Sequence, residues 1–138
     1  IGASAFFCCR TLQKIKLSSQ LTTIAKTMFY GCSLLDDVVL PNCIRVIEQE
    51  AFQYCRALTE IVIPNGVQII SEGCFEYCSA LEYVSIPSSV TTIETTAFKE
   101  CSNLITIKYY GNKDEWKKIS KGFWWDYKTG EYIVEYLG

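Results

Sequence analysis

Apolar side chains recur along this chain at intervals of 23 residues. Phe6, Phe29, Phe52, Phe75 and Phe98 form one column, and Cys9, Cys32, Cys55, Cys78 and Cys101 a second. Leu12, Leu35, Leu58, Leu81 and Leu104 form a third. Further columns are Ile15, Val38, Ile61, Val84 and Ile107, then Leu17, Leu40, Ile63, Ile86 and Tyr109. Ile1, Ile24, Ile47, Ile70 and Ile93 make another, and Leu21, Ile44, Val67 and Val90 the last. No insertion or deletion breaks this register, so the chain is an internal repeat before it is anything else.

Within one unit, Ile61 and Ile63 alternate with Glu60 and Val62. A period of two predicts a short half-buried strand. Pro41, Pro64 and Pro87 each end such a strand, where the missing N–H costs no ladder bond. A Val-x-x-Ile step then turns the corner. The Ala-Phe-x-x-Cys stretch, as in Ala51 to Cys55, predicts one helical or 3₁₀ turn with Phe and Cys on one face. One such unit cannot bury its apolar side, but stacked copies cover each other. The reading is therefore a repeat solenoid of about five rungs over 1–109, with a parallel sheet of short strands on one face and helical or 3₁₀ turns opposite. Residues 110–138 read as a C-terminal cap. Asn112 and Glu115 have capping-box spacing, which predicts a short helix through Ile119. A hairpin of 123–127 and 131–137 is expected around Lys128-Thr129-Gly130, with Gly130 left-handed.

The Leu-x-x-Ile-x-Ile-Pro strand, the Val-x-x-Ile step and the Ala-Phe-x-x-Cys turn resemble the BspA-like class of bacterial leucine-rich repeats. The segment from Tyr109 to Ile119 is similar to the Tyr-x-Gly-x-x-x-x-Trp-x-x-Ile stretch that ends such arrays. Met28 stands where Ala is usual, and Ser18 where Pro is usual, outside the core columns. The resemblance implies a secreted or cell-surface protein with an adhesive or matrix-binding role, and supplies no catalytic residue.

Composition narrows the function. The net charge of -2 lacks the basic footprint of a nucleic-acid binder. No apolar run reaches the roughly 18 residues that span a bilayer, so no membrane insertion is expected. The chain contains no histidine, which removes Ser-His and Cys-His nucleophile pairs. No Gly-rich phosphate loop appears, and no cofactor is implied. The carboxylate pairs Asp36-Asp37 and Asp114-Glu115 are explained by a strand and by a helix start rather than by acid–base chemistry. A zinc site needs four converging ligands, whereas the column cysteines run in a line, one per rung, and read as buried free thiols. Trp116, Phe123, Trp124 and Trp125 can stack on sugars or bases, or cover the last rung.

Binding, on this reading, uses outward strand positions, because the core fixes the inward ones. Val39, Val62 and Tyr83 form an apolar patch rimmed by Lys14, Asp37 and Glu60, and the partner is an unidentified protein or glycan. β-propensity alone also places Val and Tyr there. A structural spacer in a larger surface protein and an intracellular interaction scaffold are the alternative functions. The chain starts inside a repeat, so Ile1, Ala5 and Phe6 are expected to be partly uncovered. An end-on contact is expected there, with another copy or with preceding repeats.

Overall fold

The computed structural model describes residues 1–138. The chain winds as a stack of coils, each carrying a three- to five-residue strand, a two-residue strand and a run of tight turns. The longer strands are β1 (Lys14–Lys16), β3 (Asp37–Val39), β5 (Glu60–Val62), β7 (Tyr83–Pro87), β9 (Thr106–Tyr110) and β11 (Ile133–Tyr136). The shorter ones are β2 (Thr23–Ile24), β4 (Val46–Ile47), β6 (Ile69–Ile70), β8 (Thr92–Ile93) and β10 (Ser120–Lys121). All pairing is parallel, and residues 23 apart face each other, as in Lys14 beside Asp37 and Glu60 beside Tyr83. The alternation thus does what its period requires: Ile61 and Ile63 are buried while Glu60 and Val62 face outward.

Two features depart from the sequence expectation. The Val-x-x-Ile corner ends in strands of its own, so the solenoid has a second parallel sheet. A two-residue strand contributes a single inward side chain and therefore shows no alternation to read. The Phe-Cys segments, in turn, are not helical. Within coil two, Met28, Tyr30 and Cys32 donate back to the carbonyls of Ala25, Thr27 and Phe29 at 3.1–3.2 Å. The residues between them, Thr27, Phe29 and Gly31, donate across to Gln49, Ala51 and Gln53 of the next coil at 2.8–3.1 Å. Left-handed residues flank each such run and prevent a helix: Ser4, Thr27, Glu50, Gly73 and Thr96 on one side, Cys8, Gly31, Tyr54, Tyr77 and Glu100 on the other.

The tail also differs. Helix α1 (Lys113–Lys118) forms as expected, with Asn112 Oδ1 accepting from the Asp114 and Glu115 amides and Glu115 returning a bond to the Asn112 amide. The hairpin does not form. β11 pairs parallel with β9, β10 pairs parallel with β8, and the 123–127 segment stacks on 96–100 through Thr96 N–H to Phe123 O, Phe98 N–H to Trp125 O and Glu100 N–H to Tyr127 O. Residues 110–138 therefore build a sixth coil, and α1 is the insertion that shifts its register from 23 to 28 residues at Ser120 beside Thr92. Lys128, not Gly130, is left-handed. Gly130 instead permits close approach, since a Cβ there would lie 2.5 Å from the Leu104 carbonyl.

The core is a single stack through the coils. Phe6, Phe29, Phe52, Phe75 and Phe98 lie face to face at 5.2–5.5 Å. Trp125 closes the row edge-on against Phe98, and Trp116 packs on both Trp125 and Tyr109. At the opposite end Ile1 is 64% exposed, Ala5 is exposed and Phe6 is half-buried.

Both sheets are interrupted at one place. No strand bonds join β3 to β5 or β4 to β6, so each sheet divides between coils two and three. The turn side stays bonded there through the 29-to-51 step. Phe29 and Phe52 are tilted by 18°, against 5–10° for the other pairs in the row. The solenoid opens as a wedge on its sheet side, hinged at the turns. Ser71 Oγ donates to the Ile47 carbonyl at 2.6 Å inside this gap.

Candidate functional site

The outward positions of the longer strands form the surface that the repeat leaves free. Lys14 and Asp37 lie side by side with Nζ and Oδ2 3.6 Å apart, an exposed pair worth little to stability. Val39 stands beside Lys16 in the ladder and is 75% exposed, and Val62 is 55% exposed. Glu60 is exposed beside Tyr83, which is half-buried under Lys108, whose Nζ lies 5.7 Å from the ring centre. Further along, Ser85 and Thr106 are buried although they point outward, because each small side chain sits between larger neighbours. The face is thus open at the first three coils, largely self-covered at the fourth and fifth, and open again at the sixth, where Ile133 is 66% exposed.

Two shallow depressions flank the valines. Lys14, Lys16, Asp37, Val39 and Pro41 line one of about 480 Å³. Val62, Ser85, Pro87, Asn65 and Tyr110 line the other, of about 420 Å³. The six sequence-selected residues are therefore not one cluster. Lys14, Asp37 and Val39 share the first depression, Val62 belongs to the second, and Glu60 and Tyr83 lie outside both. The wedge separates Val39 from Val62.

Sequence reasoning missed the largest cavity, about 590 Å³, on the other sheet at the same wedge. Val46 and Ile69 expose their side chains into it, beside Arg45, Gln68 and Glu94. Two of its carboxylates are spent on backbone: Glu48 Oε2 accepts from the Lys26 amide at 2.7 Å and Glu94 Oε2 from the Glu72 amide at 2.9 Å. Arg45 Nη1 donates to the Asn42 and Ile44 carbonyls. Outward apolar residues at Val46 and Ile69 were the available signal, hidden because the second sheet was not foreseen.

The cysteines are all unpaired. Cys32, Cys55, Cys78 and Cys101 donate Sγ–H to the Phe6, Phe29, Phe52 and Phe75 carbonyls at 3.1–3.2 Å, a thiol ladder parallel to the phenyl row. Burial raises the Cys32 thiol to about 11 and pushes the deeper thiols higher, so they remain protonated and inert. No group of three or more histidine, cysteine, aspartate or glutamate side chains is placed to hold a metal ion. The tail aromatics divide: Trp125 covers the last phenyl and Trp116 packs on Trp125 and Tyr109, while Phe123 and Trp124 are exposed and stacked on each other. No helix is long and apolar enough to cross a membrane.

This architecture is a leucine-rich-repeat solenoid, and the sequence matches the BspA type leucine rich repeat region in six copies over residues 1–120. The chain belongs to that family. Among solved structures it is similar to a leucine-rich repeat protein of T. pallidum, with a TM-score of 0.76 and 26% identity, covering 99% of this chain and 65% of the other. It is also similar to a leucine rich cell surface protein of Faecalibacterium prausnitzii A2-165, with a TM-score of 0.67 and 29% identity over 78% of this chain and 35% of the other. A leucine-rich repeat protein of Bacteroides ovatus shares the fold at 19% identity and a TM-score of 0.50, covering 98% of this chain and 58% of the other. The chain spans less than two thirds of each of these proteins. No protein of curated function matches it.

Proposed function

We propose that this chain is a non-catalytic recognition module of a bacterial cell-surface protein, which binds a protein ligand through the open part of its long-strand sheet. The observation that carries this reading is the exposure of Val39 and Val62 on neighbouring coils, among charged groups, where Ser85 in the next coil of the same column is buried. An apolar centre with a polar edge is the anatomy of a protein interface. Family membership and the printed description of the F. prausnitzii protein as a cell surface protein support the location.

The test is a binding screen against immobilised host matrix proteins, followed by the double variant Val39→Lys, Val62→Lys. Both side chains are outside the core, so the variant folds. The expected result is at least a tenfold loss of affinity. Wild-type protein that binds nothing in the screen counts against a recognition role, and unchanged affinity in the variant moves the binding surface elsewhere. The same reading extends to the solenoid end: the partly uncovered Ile1, Ala5 and Phe6 layer stacks on another copy or on preceding repeats.

A further inference from the structure

A second surface, on the turn side, has a different chemistry. The chain has three arginines, and two of them, Arg10 and Arg56, occupy one column with Ser33 between them. The turns of these coils are bonded in register, Cys8 N–H to Tyr30 O at 2.7 Å and Gly31 N–H to Gln53 O at 2.8 Å. Two coil spacings therefore separate the arginine backbones, about 10 Å. A cleft of about 400 Å³ lies between them.

The cleft exists because an aromatic row changes column at this point. Phe7 and Tyr30 stack at 4.8 Å with rings 10° apart, and Tyr54 and Tyr77 stack at 4.7 Å with rings 5° apart. Tyr54, however, is 24 residues after Tyr30, one position off the repeat. The two rings meet edge-on at 67°, and both line the cleft. In the coil where the second column would carry a tyrosine, it carries Gly31, left-handed at φ 70°. A Cβ there would lie 3.0 Å from Cys8 Sγ, so the floor is bare backbone.

Charge completes the case. Neither arginine has a carboxylate partner; the ion pairs of the molecule are Lys14–Asp37, Lys99–Glu76 and Lys128–Glu100. No carboxylate lines the cleft. Arg56 is steadied over the Tyr54 ring, its guanidinium carbon 5.5 Å from the centroid, as a cation on a π face. Two unpaired guanidiniums lining one cleft with a hydroxyl between them in the column make an anion site, because each planar fork presents parallel N–H donors to a carboxylate or sulfate. The surface that Tyr30 and Tyr54 present to the cleft suits the apolar side of a sugar ring, and the volume falls in the range of small-ligand pockets.

We infer that the Arg10–Arg56 cleft binds an acidic saccharide, with its carboxylate or sulfate over Ser33 between the two guanidiniums and its ring against the tyrosines. This site is on the side opposite the long strands and stands whether or not Val39 and Val62 bind a protein. Calorimetry with the chain of residues 1–138 tests it, using a sulfated, uronic-acid-containing disaccharide, its uncharged counterpart and inorganic sulfate. The sulfated disaccharide is expected to bind one to one, more weakly as salt is raised. Arg10→Gln and Arg56→Gln should each weaken it at least tenfold, while Arg45→Gln leaves it unchanged. All these arginines sit outside the core, and far-UV circular dichroism verifies the fold of each variant. Undiminished binding in the Arg10→Gln, Arg56→Gln double variant, or equal binding of the uncharged sugar, overturns the inference. Inorganic sulfate binding as tightly as the disaccharide overturns the saccharide assignment, and an equal loss in Arg45→Gln overturns the site.

Discussion

Two residues in every coil are left-handed, and most of them are not glycine. Each such L-residue costs about 1–2 kcal/mol, more when the side chain is β-branched. Some side chains offset that cost: Thr27 Oγ1 bonds Ser4 at 2.7 Å, and Tyr54 and Tyr77 stack. Thr96, at φ 56°, has no side-chain bond. Thr96→Gly exchanges that strain for the chain entropy of glycine, about 0.5–1 kcal/mol. The net result is a higher urea midpoint, by up to about 1 kcal/mol of stability. Gly31→Ala, strained at φ 70° and crowded by Cys8 Sγ, lowers it. The thiol ladder adds a pH dependence. Burial raises these thiols above the value of 9.0 they hold when unfolded, so the folded state favours the neutral form. That contribution is whole below about pH 9 and fades as pH climbs through about 11 for Cys32. Urea midpoints between pH 8 and 11 should fall, and Cys55→Ala should flatten the slope. Equal slopes would remove the thiols as the cause.

At the scale of elements, the capped helix was legible because its signal is local: Asn112 and Glu115 satisfy each other within one turn. Asn112→Ala should cost about 1 kcal/mol, read as a shift in thermal or urea midpoint. The sixth coil was not legible. Its insertion destroys the 23-residue phase, and Trp125 takes the place that Ala97 has in the coil before, so the columns no longer show. The interruption between coils two and three has a cause in the outward columns. Asp37 and Glu60 follow each other in one column, where every other adjacent pair of rungs has at most one carboxylate. Like charges on neighbouring strands oppose pairing by about 0.2–1 kcal/mol. Lys14 holds Asp37 on the coil-one side. Glu60→Lys should therefore close the wedge. Hydrogen exchange at Val62 and Ser71 should be fast in the parent chain and slow down in the variant. Protection that does not change would show that the gap is set by the backbone rather than by charge.

At the scale of the whole molecule, the repeat decides what sequence can and cannot reveal. Seven apolar columns revealed the solenoid, its strand face and the burial of four of the five column cysteines, because stacking imposes the same inward residues on every coil; Cys9, in the uncovered first coil, is only half-buried. Binding residues obey no such rule. Val39 and Val62 were visible as outward positions, but the Arg10–Arg56 cleft depends on a one-residue slip in an aromatic row, which only the packed turns show. Stacking also makes the ends unlike the middle, since an inner coil is covered on two sides and an outer coil on one. Phe52 is fully buried between Phe29 and Phe75, so Phe52→Ala should cost about 3–5 kcal/mol. Phe6, half-buried with Phe29 on one side alone, should cost clearly less. The first coil is a place for end-on association, because Ile1, Leu12 and Ile15 keep exposed apolar surface there; Trp125 closes the phenyl row at the other end, where Phe123 and Ile133 are themselves exposed. Sedimentation of residues 1–138 across a hundredfold range of concentration should show dimers forming, and Ile15→Glu should hold the chain monomeric without unfolding it. A chain that stays monomeric throughout would overturn self-association at that layer.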